Sequence, residues 1–168
     1  MIVVADTSPL VALINIHHVE VLPRLFGAVL IPPAVLTELA APPRPPAVRS
    51  FAGQPPVWLE LRTPARVETT PGLHPGEAEA LSLAAEVRAD LVLLDEKEGR
   101  RIATERHLLV AGTIGVLERA AAERLLDLRE AFDRLRATDF WVSPALLDAR
   151  LTAFEQGQAR AREPGIGR

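Results

Sequence analysis

The feature that most narrows the choice of fold is a set of short, unbroken apolar runs separated by helix-like stretches. Ile2-Val3-Val4-Ala5 stops at Asp6, Ala28-Val29-Leu30-Ile31 at Pro32-Pro33, Leu91-Val92-Leu93-Leu94 at Asp95, and Leu109-Val110-Ala111 at Gly112. Runs this continuous, rich in β-branched residues, suit strands buried on both faces. Strands of that kind alternating with helices imply an α/β protein: a central, mainly parallel sheet in a three-layer α/β/α arrangement.

The intervening segments carry helix signals. Thr7 or Ser8 can cap a helix over Leu10 to Ile16, whose first turn accepts Pro9 because proline's missing N–H has no partner there. Further helices are expected over about Val19 to Phe26, ending at Gly27, and over Pro33 to Ala40. Six prolines between Ala41 and Pro56 imply a long surface loop, followed by an edge strand at Val57 to Leu61. Helices should then cover Pro75 to Arg88, Lys97 to Arg106 and a stretch starting near Ile114. Leu126 to Leu151 reads as helical with a break at Phe140-Trp141-Val142. One domain over residues 1–155 and a flexible tail over 156–168 are expected. With few aromatics in the chain, Phe51, Trp58, Phe140 and Trp141 are expected to pack.

Composition removes several classes. Apolar residues make up 48% and charged residues 24%, outside the range that keeps chains unfolded. There is no cysteine, so any metal must be held by oxygen or imidazole. His17 and His18 are adjacent and diverge, while His74 and His107 are isolated, so none has zinc-site spacing. The first residues lack a basic leader, and no apolar run reaches the roughly 18 residues of a membrane span. A soluble, cytoplasmic protein with no membrane association is expected. Net charge is −3, so nucleic-acid binding needs a local basic patch or a bridging metal. Lys97, Arg100, Arg101, Arg106 and His107 form a candidate patch, or simply a solvated helix face.

In open parallel sheets ligands bind at the carboxyl ends of the strands, where Asp6 and Asp95 both stand. Two desolvated acids on neighbouring strands repel unless a cation lies between them. Glu38 sits beside the apolar stripe of the helix from Pro33, and Glu77 stands in the first turn of the helix from Pro75. Glu79 projects from a different face and competes with Glu77 for the cleft. Taken singly, Asp6 reads equally well as a turn or capping residue, and Glu77 as an acid compensating a helix dipole. Taken together, four carboxylates favour Mg²⁺ or Mn²⁺ and hydrolysis of a phosphodiester.

The order of motifs resembles that of PIN-domain proteins, especially the VapC-like toxin branch. It runs from Val4-Ala5-Asp6-Thr7-Ser8-Pro9-Leu10 through Ile31-Pro32-Pro33-Ala34-Val35 with Glu38, then Pro75-Gly76-Glu77-Ala78-Glu79-Ala80, Leu93-Leu94-Asp95 and Gly112-Thr113-Ile114-Gly115-Val116-Leu117. The resemblance implies a PIN-like fold and a metal-dependent ribonuclease acting on RNA. It further implies a homodimer and a small antitoxin partner, as in a type II toxin-antitoxin system. It carries the catalytic and metal-binding acids onto Asp6, Glu38, Glu77 and Asp95. Thr7, Ser8 and Thr113 become candidates for a water or phosphate oxygen, with Arg100 and Arg101 for the RNA backbone. The third acid is commonly Asp in the family and is Glu77 here, which puts metal spacing in question.

Two other enzyme classes fit poorly. A phosphoaspartyl enzyme of the haloacid-dehalogenase kind needs a second Asp two residues after the first, where Ser8 stands. A nucleotide-binding domain needs a glycine-rich loop after the first strand, and Asp6-Thr7-Ser8-Pro9 has none. The rival from another class is a catalytically inactive PIN-like module that binds protein or RNA.

Overall fold

The structure is a computed structural model that describes residues 1–162. The chain divides into two compact units, one of Met1–Val116 and one from Leu117 onward.

The first unit is built on five strands: β1 (Val3–Ala5), β2 (Val29–Ile31), β3 (Leu59–Leu61), β4 (Leu91–Leu93) and β5 (Val110–Ala111). All pairings are parallel, in the order β3-β2-β1-β4-β5. The helices are α1 (Thr7–Asn15), α2 (Val21–Phe26), α3 (Pro33–Ala40), α4 (Pro46–Gly53), α5 (Pro75–Val87) and α6 (Lys97–Glu105). α7 (Thr113–Ala122) crosses the boundary between the units.

Both faces of the sheet are covered. Val4, Leu30, Val92 and Leu94 form one core with Ala80, Leu81 and Ala84 of α5 and Ile102 and Ala103 of α6. Residues of the opposite parity, Val3, Ala5, Val29, Ile31 and Leu93, are equally buried. Successive side chains of a strand alternate between faces, so continuous apolar runs are what a sheet sandwiched between helices requires. The expected three-layer α/β/α fold is therefore present, with the edge strand at Leu59–Leu61.

The proline-rich stretch departs from expectation. Residues expected to form a loop between Ala41 and Pro56 include α4, with Val48 and Ala52 buried one turn apart. Pro46 stands at the start of that helix, where a missing N–H leaves no bond unmade, so it opens the helix instead of breaking it. α4 packs against α3 and α1. The cap of α1 differs too: Asp6 occupies that position and Thr7 already belongs to the helix.

The second unit contains α8 (Leu128–Arg136) and α9 (Pro144–Arg162). α8 buries Leu128, Ala131, Phe132 and Leu135, the stripe of an amphipathic helix. Asp127 caps it by accepting the Glu130 N–H at 2.8 Å. α9 continues past Gln156, where a flexible tail was expected; residues 163–168 of that tail lie outside the described residues. Of the four aromatics expected to pack, Phe51 and Trp58 meet at a centroid distance of 6.0 Å, whereas Trp141 is 97% exposed.

If α4 is docked through its apolar pair, Val48→Ala lowers unfolding free energy by on the order of 2 kcal/mol. Exposed Ser50→Ala on the same helix changes it by less than about 0.5 kcal/mol. Equal effects in urea denaturation would show that α4 contributes no packing.

Candidate active site

Strand order places the site. β1 leads to β2 on one side while β4 leads to β5 on the other, so the crossover direction reverses between adjacent β1 and β4. The crevice at the carboxyl ends of such a pair is where open α/β sheets bind ligands. The ladder continues beyond β1, with the Asp6 N–H donating to the Leu93 carbonyl at 2.9 Å.

Register then decides which acids face each other. Val4 pairs with Val92 and Ala5 with Leu93, so one further step sets Asp6 opposite Leu94. By alternation Asp6 and Leu94 share the face of α5 and α6, with Asp95 on the other, while Glu96, the N-cap of α6, bears on Glu77 through its charge. The polar contacts agree. Asp95 accepts at Oδ1 from the Thr113 N–H (2.7 Å) and at Oδ2 from the Thr113 hydroxyl (2.6 Å), at the start of α7. Burial raises its carboxyl, and the Thr113 bonds and the Arg100 guanidinium pull it down.

Asp6 and Glu77 are the buried pair, 2% and 3% exposed. Asp6 Oδ1 and Glu77 Oε1 are buried with no hydrogen-bond partner. Burial is the main cause lifting the Asp6 carboxyl from 3.8 to about 7. The Thr7 and Ser8 N–H groups oppose the shift, and the charges of Glu77 and Glu38 add to it. Glu77 is raised in the same way by burial, against the His74 N–H and imidazole, with Glu96 and Glu38 adding repulsion. Glu77 Oε2 accepts from the His74 N–H at 2.9 Å, which ties this side chain to the first turn of its own helix.

Glu38 leans into the same cluster from α3. Its Oε2 accepts from the Thr7 hydroxyl, and its Oε1 from the Gly76 N–H at 2.8 Å. Glu79, the competitor for the third acid, instead accepts from the Ala34 N–H at 2.9 Å at the start of α3. The structure thus gathers Asp6, Thr7, Glu38 and Glu77, and places Asp95 with Thr113 on the other side of β4. Ser8 Oγ lies 3.5 Å from Glu96 Oε1.

The basic candidates also separate. Arg100 donates to the Leu94 carbonyl at 3.0 Å, beside the strand ends. Arg101 is exposed and paired with Glu98 and Glu105 on its own helix, so its charge is compensated away from the acids. Two residues missed in the sequence belong here, Glu96 and His74. The adjacency of Glu96 to Asp95 was a signal, but choosing between them needs the register. His74 had a local signal too: it is the N-cap residue three positions before Glu77, and the two form a capping box at the start of α5.

The donor set suits a hard cation: oxygen ligands only, two of them buried and unpartnered. Among the described residues no three acid or histidine side chains close a metal shell by themselves. Ions of the Mg²⁺ kind keep several waters, so an incomplete protein shell is compatible with them.

A carboxyl raised by folding contributes least where it must ionise. The contribution of Asp6 is complete below 3.8 and is lost as pH rises through about 7. In EDTA, wild-type stability should fall between those values by roughly 4 kcal/mol, and Asp6→Asn should flatten the profile. A profile unchanged by the substitution, measured by urea denaturation across pH, would remove the argument for a buried, uncompensated Asp6.

Neither a curated protein nor a solved structure matches the chain. Among the described residues no helix is long and apolar enough to cross a membrane. The family model DUF3368, described as a PIN domain, matches residues 2–156. PIN domains are generally metal-dependent nucleases and commonly bind nucleic acids. On that match, which spans nearly the whole described chain, the protein belongs to the PIN-domain family.

Proposed function

We propose that this protein is an Mg²⁺- or Mn²⁺-dependent ribonuclease that hydrolyses RNA phosphodiester bonds. The observation that carries the reading is the pair of buried, unpartnered oxygens, Asp6 Oδ1 and Glu77 Oε1, at the strand-order reversal. Buried carboxylates without partners are unfavourable, and a divalent cation between them removes both the repulsion and the desolvation penalty. When bound, such an ion supplies charge neutralisation at the scissile phosphate and a more acidic water.

The chain's own residues divide the remaining work. Asp6 and Glu77 would hold the ion. Glu96, at the start of α6, and Glu38, steadied by Thr7 and Gly76, would add negative charge around it and hold its waters. Asp95, assigned from the sequence as a metal ligand, is a positioning residue in this reading: it fixes the start of α7 through Thr113. Arg100, beside the strand ends, is the cation best placed to meet an RNA phosphate, with Ser8 on the same rim. Arg101 drops out of the substrate-binding set because its charge is already paired.

The toxin role, a small antitoxin partner, a homodimer and a cytoplasmic location extend this proposal from the resemblance to VapC-like proteins. A noncatalytic binding module is the second reading. It is favoured by the internal hydrogen bonds that already occupy both oxygens of Glu38 and of Asp95.

Purified protein incubated with a mixed RNA pool separates the two. Cleavage should require Mg²⁺ or Mn²⁺ and vanish with EDTA or with Asp6→Asn. Absence of both cleavage and metal-dependent thermal stabilisation would leave the binding module. A second comparison divides the neighbouring acids. Glu96→Gln should weaken metal-dependent stabilisation, while Asp95→Ala should lower metal-free stability by about 1–3 kcal/mol by leaving the Thr113 N–H and hydroxyl without their acceptor. The reverse pattern would return Asp95 to the metal.

A further inference from the structure

Gly99 lies in the first turn of α6, a helix in which alanine would be the better former. Its backbone is not in the left-handed region, so local conformation gives no reason for glycine. Space does. A Cβ at this position would stand 2.6 Å from Glu77 Oε1, closer than real Cβ atoms approach any atom. That oxygen is the unpartnered one. As the end of a flexible side chain it can swing aside, but only by disturbing the bond from the His74 N–H to the other oxygen of the same carboxylate, 2.9 Å, within buried surroundings.

We propose that Gly99 is a positioning residue for the metal centre, matched to the length of Glu77. The missing side chain lets α6 close against α5 with Glu77 Oε1 held toward the ion and Glu96, just ahead of α6, brought to the same point. The inference rests on the metal-dependent reading above. A methyl group at position 99 must displace either the carboxylate or the helix, and both movements open the ligand set. The same methyl would also press on the Leu94 side chain at 3.0 and 3.2 Å, a packing effect that acts with or without metal.

The experiment is a double-mutant cycle read by Mg²⁺ titration calorimetry and by the metal-induced rise in melting temperature, using wild type, Gly99→Ala, Glu77→Asp and the double variant. Gly99→Ala should weaken Mg²⁺ binding by roughly tenfold or more. Shortening the acid in the same chain should recover most of that loss, so the two effects are non-additive. Metal-free melting temperature should fall in both alanine-containing variants through Leu94, and by less in the double variant, where the clash with the carboxylate is relieved. Wild-type affinity in Gly99→Ala, or losses that add in the double variant, would overturn the proposal while leaving the metal reading intact. No Mg²⁺ or Mn²⁺ binding by the wild type would overturn both. Should Gly99→Ala fail to fold, folding regained in the double variant supports the matched pair, whereas two unfolded variants assign Gly99 to packing on Leu94 and overturn it.

Discussion

The parallel pairing of β1 with β4 is the contact on which the rest of the site depends. It sets Val4 beside Val92 and therefore decides, through simple alternation, the face to which each following side chain turns. A slip of one residue would send Asp6 to the opposite face from α5 and break its relation to Glu77. That register is held by burial on both faces: Val4 and Val92 are fully buried in the core with α5 and α6, and Ala5 and Leu93 are fully buried on the other side. The acids are thus placed by hydrophobic packing that makes no contact with substrate.

The fold also holds a conflict that packing alone does not resolve. Asp6 and Glu77 are almost wholly buried, each raised by burial and by the other acids around it. Neighbouring acids are handled differently. Glu38 spans Thr7 and Gly76, Glu79 binds the start of α3, and Asp95 binds the start of α7, each answering backbone N–H groups that a helix start leaves without partners. Asp6 and Glu77 also receive backbone N–H groups, from Thr7, Ser8 and His74, but each keeps one buried oxygen that no donor reaches. This is the physical ground for reading the pair as a cation site and the others as its frame.

Positive charge is distributed to match. Arg101 and Arg106 of the candidate basic patch are paired with Glu98, Glu105 and Glu68, so the segment after β4 is less basic than its composition suggests. Arg100 instead donates to the Leu94 carbonyl at the strand end, and its guanidinium bears on Asp95. With a net charge of −3, the proposed binding of a phosphate backbone would need such local positive charge and a bound ion.

Short continuous apolar runs between helix signals were enough to specify a parallel, doubly covered sheet, because only strands buried on both faces tolerate such runs. Asp6 and Glu77 stand at a strand end and a helix start that local sequence marks, whereas Glu38, in the last turn of α3, was singled out through the resemblance. The choice of Glu77 over Glu79 was argued from helix faces, but its physical reason, the capture of Glu79 by the Ala34 N–H, lies in another helix. The choice between Asp95 and Glu96 was beyond the sequence, because facing depends on the register between two strands whose paired residues, such as Ala5 and Leu93, stand 88 positions apart. So was the meaning of Gly99, an ordinary helix residue until tertiary packing sets a carboxylate against it. Local patterns carry periodicity and capping; which side chains meet across elements is settled only when the elements pack.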